Sequence, residues 1–144
     1  MYLFAKKKQL LNEWVNGYNR TLKPGLKQNR YRFLDKDIRF THVGLPEDAY
    51  WGGAVAAEML TDYLIADTGI IYTDMPFTDL MKALRLIPDK TGNITLIETF
   101  WKTGRERENM VDFILVYADL IESGDPRYME TAETIFNKYV QDYL

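Results

Sequence analysis

No cysteine occurs among the 144 residues. That absence excludes disulfide staples, thiolate zinc sites and cysteine nucleophiles, and it suits a reducing cytoplasm. Histidine and serine occur once each, as His42 and Ser123. A Ser-His triad has little to build on, so His42 reads as an ordinary packed or surface side chain and Ser123, before Gly124, as a helix end. No run approaches the about 20 apolar residues that a membrane helix requires, and Met1-Tyr-Leu-Phe-Ala followed by three lysines reverses the order of a secretory signal. A cytoplasmic chain without membrane contact is expected. Nothing calls for a metal or another cofactor, and with no internal repeat or low-complexity linker residues 1–144 read as a single domain.

What is present is apolar and aromatic side chain, 47% and 14% of the residues, enough to bury a core in a chain of this length. The net charge of −3 hides an asymmetry. Residues 1–40 hold ten Lys/Arg against three acids, and the remaining 104 hold eight against eighteen. Such a split either neutralises itself within one fold or leaves a positive patch that attracts nucleic acid or an acidic protein.

Leu3, Leu10, Leu11, Trp14, Val15 and Tyr18 recur at helical spacing, predicting an amphipathic helix over residues 3–20 that Pro24-Gly25 ends. Tyr31-Arg32-Phe33-Leu34 and Ile38-Arg39-Phe40 read as strands of a hairpin about Asp35-Lys36-Asp37. Pro46-Glu47-Asp48 reads as the start of a helix running to about Leu64 that buries Trp51, Met59, Leu60, Tyr63 and Leu64. A strand at 69–73, a helix after Met75-Pro76, a turn at Thr91-Gly92-Asn93 and a strand from Ile94 to Trp101 follow. Beyond the charged loop 103–108, one helix spans Val111 to Glu122. Another starts at Asp125 as N-cap and buries Met129, Ala132, Phe136, Tyr139 and Tyr143. The fold class is α+β, a small mixed β-sheet packed with helices.

Gly52 and Gly53 are expensive inside a helix, about 1 kcal/mol each, so close packing must justify them. They lack the Gly-Lys-Ser/Thr of a phosphate loop. Pro88-Asp89 and Glu98 resemble the paired carboxylates of a metal-dependent nuclease, but Phe100 stands where that pattern has its lysine, and Lys102 lies two residues further on. Arg20, Lys23, Lys27, Arg30 and Arg32 interleave with Tyr18, Tyr31 and Phe33. Cations and aromatics in that mixture can meet phosphates and stack bases, or contact a protein partner. Arg30 and Arg32 alternating with Tyr31 and Phe33 also fit a strand with one buried face.

The run Tyr50-Trp51-Gly52-Gly53-Ala-Val-Ala-Ala, then Gly69-Ile-Ile-Tyr72, then Pro88-Asp89-Lys-Thr-Gly92 and Phe100-Trp101 resembles the antitoxin half of type IV abortive-infection toxin–antitoxin systems, the AbiEi-type regulators. Tyr117-Ala118-Asp119 and Gly124-Asp-Pro-Arg127 resemble the same family's C-terminal signature. The family pattern often has Glu-Pro after the two glycines, where this chain has Ala54-Val55. The resemblance implies a non-enzymatic antitoxin or regulatory domain that counteracts a nucleotidyltransferase-type toxin. Its motif positions, Trp51, Gly52, Gly53, Pro88, Asp89, Gly92, Trp101, Tyr117, Asp119 and Arg127, are expected to form the fold, with Asp119 and Arg127 paired across a helix corner. Family members carry an N-terminal winged helix for DNA, whereas the first 20 residues here read as one helix. The rival readings are a nucleic-acid-binding module using DNA or RNA contacts from the basic N-terminal region, and a nuclease-like remnant.

Overall fold

The computed structural model describes residues 2–62, 64–101 and 109–140. The strands are β1 (Gln28–Phe33), β2 (Ala49–Gly52), β3 (Gly69–Thr73), β4 (Leu86–Pro88) and β5 (Ile94–Glu98). They form one mixed sheet in the order β2-β3-β5-β1-β4, in which β3 and β5 are parallel and the other pairs antiparallel. The helices are α1 (Tyr2–Gly17), α2 (Gly53–Thr61), α3 (Phe77–Leu84), α4 (Phe113–Ser123) and α5 (Pro126–Ile135). A π-helical turn, Tyr18–Leu22, and a 3₁₀ turn, Lys23–Gly25, prolong α1. The chain is α+β, as its patterning predicts.

Register assigns the side chains to faces. Gly52, Ile70, Thr95 and Arg30 lie in one row across the sheet, and Tyr50, Tyr72, Ile97 and Gln28 form the next row on the same face. Trp51, Ile71 and Leu96 point the other way, into a core where Trp51 stacks on Phe40 and Phe40 meets Phe33. Tyr31 and Phe33 are buried while Arg30 and Arg32 take the opposite face, as their alternation predicts.

Four expectations need correction. Residues Ile38–Phe40 form no strand and no hairpin; β1 pairs instead with β4 and β5, and Phe40 enters a 3₁₀ turn that brings its ring to Trp51. Pro46 does not start a helix: it accepts the Ala49 N–H in a turn that leads into β2. One edge of β2 pairs with β3, and along the other Trp51 N–H donates to Asn109 O (2.6 Å) and Val111 N–H to Trp51 O (3.0 Å). The helix begins only at Gly53 and stops at Asp62, whose φ of 57° breaks it, so it falls short of Leu64. Strand β5 ends at Glu98, short of Trp101, and β4 is a strand that composition does not announce.

The faces of the predicted helices hold in part. Leu11, Val15 and Tyr18 are buried, but Leu10 and Trp14 are exposed, and so are Met59 and Met129. Asp112 and Asp125 cap α4 and α5 by accepting the N–H groups of Ile114 and Arg127, and Gly124, at φ +69°, separates the two helices. Tyr63, Lys102, the charged loop 103–108 and Tyr143 lie outside the described residues. No helix among the described residues is long and apolar enough to cross a membrane.

Candidate functional site

On the face that carries Tyr72, five polar side chains from four segments meet. Lys23 Nζ donates to Asp119 Oδ1 at 2.8 Å and to Glu122 Oε2 at 2.5 Å. Tyr72 donates its hydroxyl proton to Asp119 (2.9 Å), so the 2.6 Å bond between the Tyr18 and Tyr72 oxygens has Tyr18 as donor. The Asp119 side chain has no accessible surface, and Lys23 retains little. Asn19 adds a bond from Nδ2 to Ala118 O (3.0 Å), so the π turn contacts β3 through Tyr18 and α4 through Asn19. A segment that the sequence marks only as the end of a helix is thus bolted to the centre of the fold.

The glycine pair belongs to the same site. Helix α2 has no capping side chain at Gly52 and no acid in its first turn. Asp119 Oδ2 supplies the missing cap from 66 residues away by accepting the Gly53 N–H at 3.2 Å. A carboxylate there also faces the positive end of the helix dipole. Gly52 makes room for it: a Cβ at this position would lie 2.9 Å from Asp119 Oδ2 and 2.8 Å from the Tyr72 ring. Gly53 turns the strand into the helix at φ +56°, a conformation that favours glycine. Close packing is therefore the reason for Gly52, as expected, and backbone conformation the reason for Gly53, and the pair stands at a strand-to-helix corner and not in mid-helix.

Burial pushes the Asp119 carboxyl up, against the pull of Lys23 and Tyr72. Burial alone would lower the Lys23 ammonium; Asp119 and Glu122 outweigh it and raise it above its ordinary value. Tyr18 and Tyr72 are raised by burial and by the Asp119 charge. In the fold these three groups keep protons that an unfolded chain begins to lose near pH 10. Stability is thus fully present below that pH and falls above it, by about 1.4 kcal/mol per pH unit for each proton retained. Urea unfolding between pH 8 and 11 should show this fall, and Tyr18→Phe should make it shallower by one proton.

The remaining predicted residues divide into structural and exposed. Lys23, expected to contact nucleic acid or a partner, is instead consumed inside the protein. Arg30 donates from Nε and Nη2 to Gly92 O at 3.0 and 2.5 Å, Arg32 lies 3.5 Å from Asp89, and Lys27 sits over the Phe77 ring. Arg30 and Arg32 remain neighbours on the face of β1 opposite Tyr31 and Phe33, Arg30 exposed and Arg32 partly so; Arg20 is exposed on the π turn. Trp101 packs on Tyr72, and Tyr117 is buried against Phe136. Pro88 pairs with Tyr31.

The expected Asp119–Arg127 pair does not form. Asp119 is turned inward to Lys23 and Gly53, whereas Arg127 is exposed, with Nη2 3.0 Å from Asp125 and 3.8 Å from Asp67. The nuclease-like carboxylates do not converge either. Asp89 follows β4 beside the Ile94 end of β5 and accepts from the Thr91 N–H and hydroxyl, both at 2.9 Å. Glu98 ends the same strand about 13 Å away at 3.3 Å per residue. Among the described residues no three His, Asp or Glu gather as metal ligands. His42 is exposed, and Ser123 bonds Leu120 O at the end of α4.

The sequence does not mark Tyr18, Tyr72 and Glu122 as members of this cluster. The available signal was Asp119 itself, an acid within the apolar run Phe113–Leu120, which calls for a buried cation.

A family model described as transcriptional regulator, AbiEi antitoxin, type IV toxin–antitoxin system matches residues 3–141. The match takes in α1 and β1, beyond the motif blocks after residue 50. No curated protein and no solved structure matches the chain. With nearly every residue inside that match, the chain belongs to the AbiEi antitoxin family of transcriptional regulators of type IV toxin–antitoxin systems.

Proposed function

We propose that this chain is a non-enzymatic antitoxin that works by binding, in the cytoplasm, and that the toxin it counteracts is of the nucleotidyltransferase kind. The observation that carries the reading is the use made of the polar side chains of the interior. Lys23, Asp119, Tyr72 and Tyr18 are the groups best suited to acid–base work, and they spend their bonds on one another and on the α2 N-terminus. Such a cluster fixes a shape, its donors and acceptors being engaged with one another inside the fold. The test is co-expression of residues 1–144 with the toxin encoded beside it. Growth after toxin induction is the expected result; continued arrest with the domain folded and soluble would overturn the reading.

A second reading, nucleic-acid contact, is favoured by Arg30 and Arg32 standing two residues apart on one face of β1, Arg30 exposed and Arg32 partly so. Tyr31 and Phe33 are buried and offer no stacking surface, so contact there would be to phosphates. If both guanidiniums neutralise phosphates, Arg30→Ala/Arg32→Ala should lower the slope of log K against log salt on duplex DNA by about 1.8. Anisotropy titrations across a salt series measure it, and an unchanged slope or no binding at low salt refutes it.

A further inference from the structure

The sheet face that carries the Lys23–Asp119 cluster is only half covered. Tyr72 lies under the π turn and α4, and Ile97 beside it is fully buried. In the next row Ile70 and Thr95 are half-buried and Arg30 is exposed. Over that row lies a cleft of about 490 Å³ lined by Ile70 and Arg30. Its walls are Lys23, then Glu122 and Ser123 at the end of α4, and Tyr128, whose hydroxyl turns to Asp67 at 2.8 Å. Concave sites of this size, with an apolar floor and a few polar groups, suit a small molecule.

The charges at the two ends select the molecule. Lys23 is one cation shared by two carboxylates, so the trio with Asp119 and Glu122 carries one surplus negative charge. Glu122 holds that surplus at the surface, half exposed and spending only Oε2 on Lys23. The opposite charge is Arg30, two strand spacings or about 10 Å along the row from Ile70. Its Nε and Nη2 meet Gly92 O, which leaves Nη1 to a ligand. We propose that this cleft binds a free basic amino acid, its carboxylate on Arg30, its aliphatic chain on Ile70 and its side-chain ammonium on Glu122. The α-ammonium stays in water. A phosphate would face the surplus carboxylate, and a nucleobase would find no free ring, because Tyr128 is buried.

Calorimetric titration of the full chain with L-lysine, L-norleucine, cadaverine and inorganic phosphate tests the assignment. L-Lysine should bind, and norleucine and cadaverine, each lacking one of the two end charges, should bind about tenfold more weakly, the worth of one charge-assisted contact. Arg30→Gln should weaken L-lysine by the same factor and leave cadaverine unchanged; Glu122→Gln should weaken L-lysine and leave norleucine unchanged. Thr95→Phe, which fills the row between the two charges, should abolish binding, while Arg32→Ala, outside the cleft, should change nothing. The two charge variants keep the test decisive if Thr95→Phe melts early. Absence of L-lysine binding by the wild type, equal binding of L-lysine and L-norleucine, preference for phosphate, or undiminished binding by Arg30→Gln and Glu122→Gln each overturns the proposal.

Discussion

Asp119→Ala should destabilise the protein by about 3–5 kcal/mol, the range seen when one partner of a buried ion pair is removed. Four separate losses stand behind that figure. Lys23 keeps only Glu122, whose carboxylate is half exposed. Tyr72 loses the acceptor for its hydroxyl proton, and the Gly53 N–H loses its cap. The truncated side chain also leaves a void between α4 and the sheet. Urea unfolding at pH 7 measures the total, and a loss below about 1 kcal/mol would show that the cluster is incidental. Asp119→Asn should fall between, because it keeps an acceptor oxygen but loses the charge. Replacing both partners, Lys23→Met with Asp119→Leu, should recover the part of the loss that comes from the unpaired Lys23 charge and from the void, but not the part that comes from the Tyr72 hydroxyl and the Gly53 N–H, which still lack their acceptor.

Gly92→Ala should be worse still, with more than about 4 kcal/mol lost, a size reserved for changes the backbone cannot absorb. A Cβ at Gly92 would lie 2.1 Å from Tyr31 O and 2.5 Å from Tyr31 C, with Asp89 O at 3.0 Å. None of these atoms can move aside. Tyr31 is pinned between Pro88 and Ile94 by the pairing of β1 with both β4 and β5, and Asp89 O already accepts the Gly92 N–H. The variant should fail to fold or melt far below the wild type. Gly17→Ala is the control: its backbone is helical at φ −62°, a Cβ there meets nothing within 4 Å, and a gain of about 0.5–1 kcal/mol is expected.

The elements that patterning foretold are those whose own residues decide them. Strand β3 is a bounded apolar run, α4 and α5 carry their Asp caps and Gly124 in sequence, and Tyr31 and Phe33 alternate cleanly. Those it misread depend on distant partners. Residues 49–52 follow Pro-Glu-Asp and look like a first helical turn, yet they are a strand because β3 and residues 109–111 pair with both edges. Three-residue β4 has no periodicity to detect. The site is half visible in the sequence: Gly52, Gly53 and Asp119 belong to two motif blocks, but nothing in either block says that they touch. Lys23 reads as a surface cation in the sequence because its neighbours Leu22 and Pro24 give no hint of the carboxylates it meets.

The cap that Asp119 places on α2 also bears on how the chain acquires its structure during synthesis. When residues 53–61 leave the ribosome, the carboxylate that secures their first turn has not yet been made, and neither β4 nor β5 exists to hold β1. An isolated helix of nine residues is too short to persist in water. The first half of the nascent chain therefore waits, with its apolar side chains open to chaperones and proteases, until α4 emerges. Folding is then a late event dominated by contacts between residues far apart in the chain, which is the slow regime for a domain of this size.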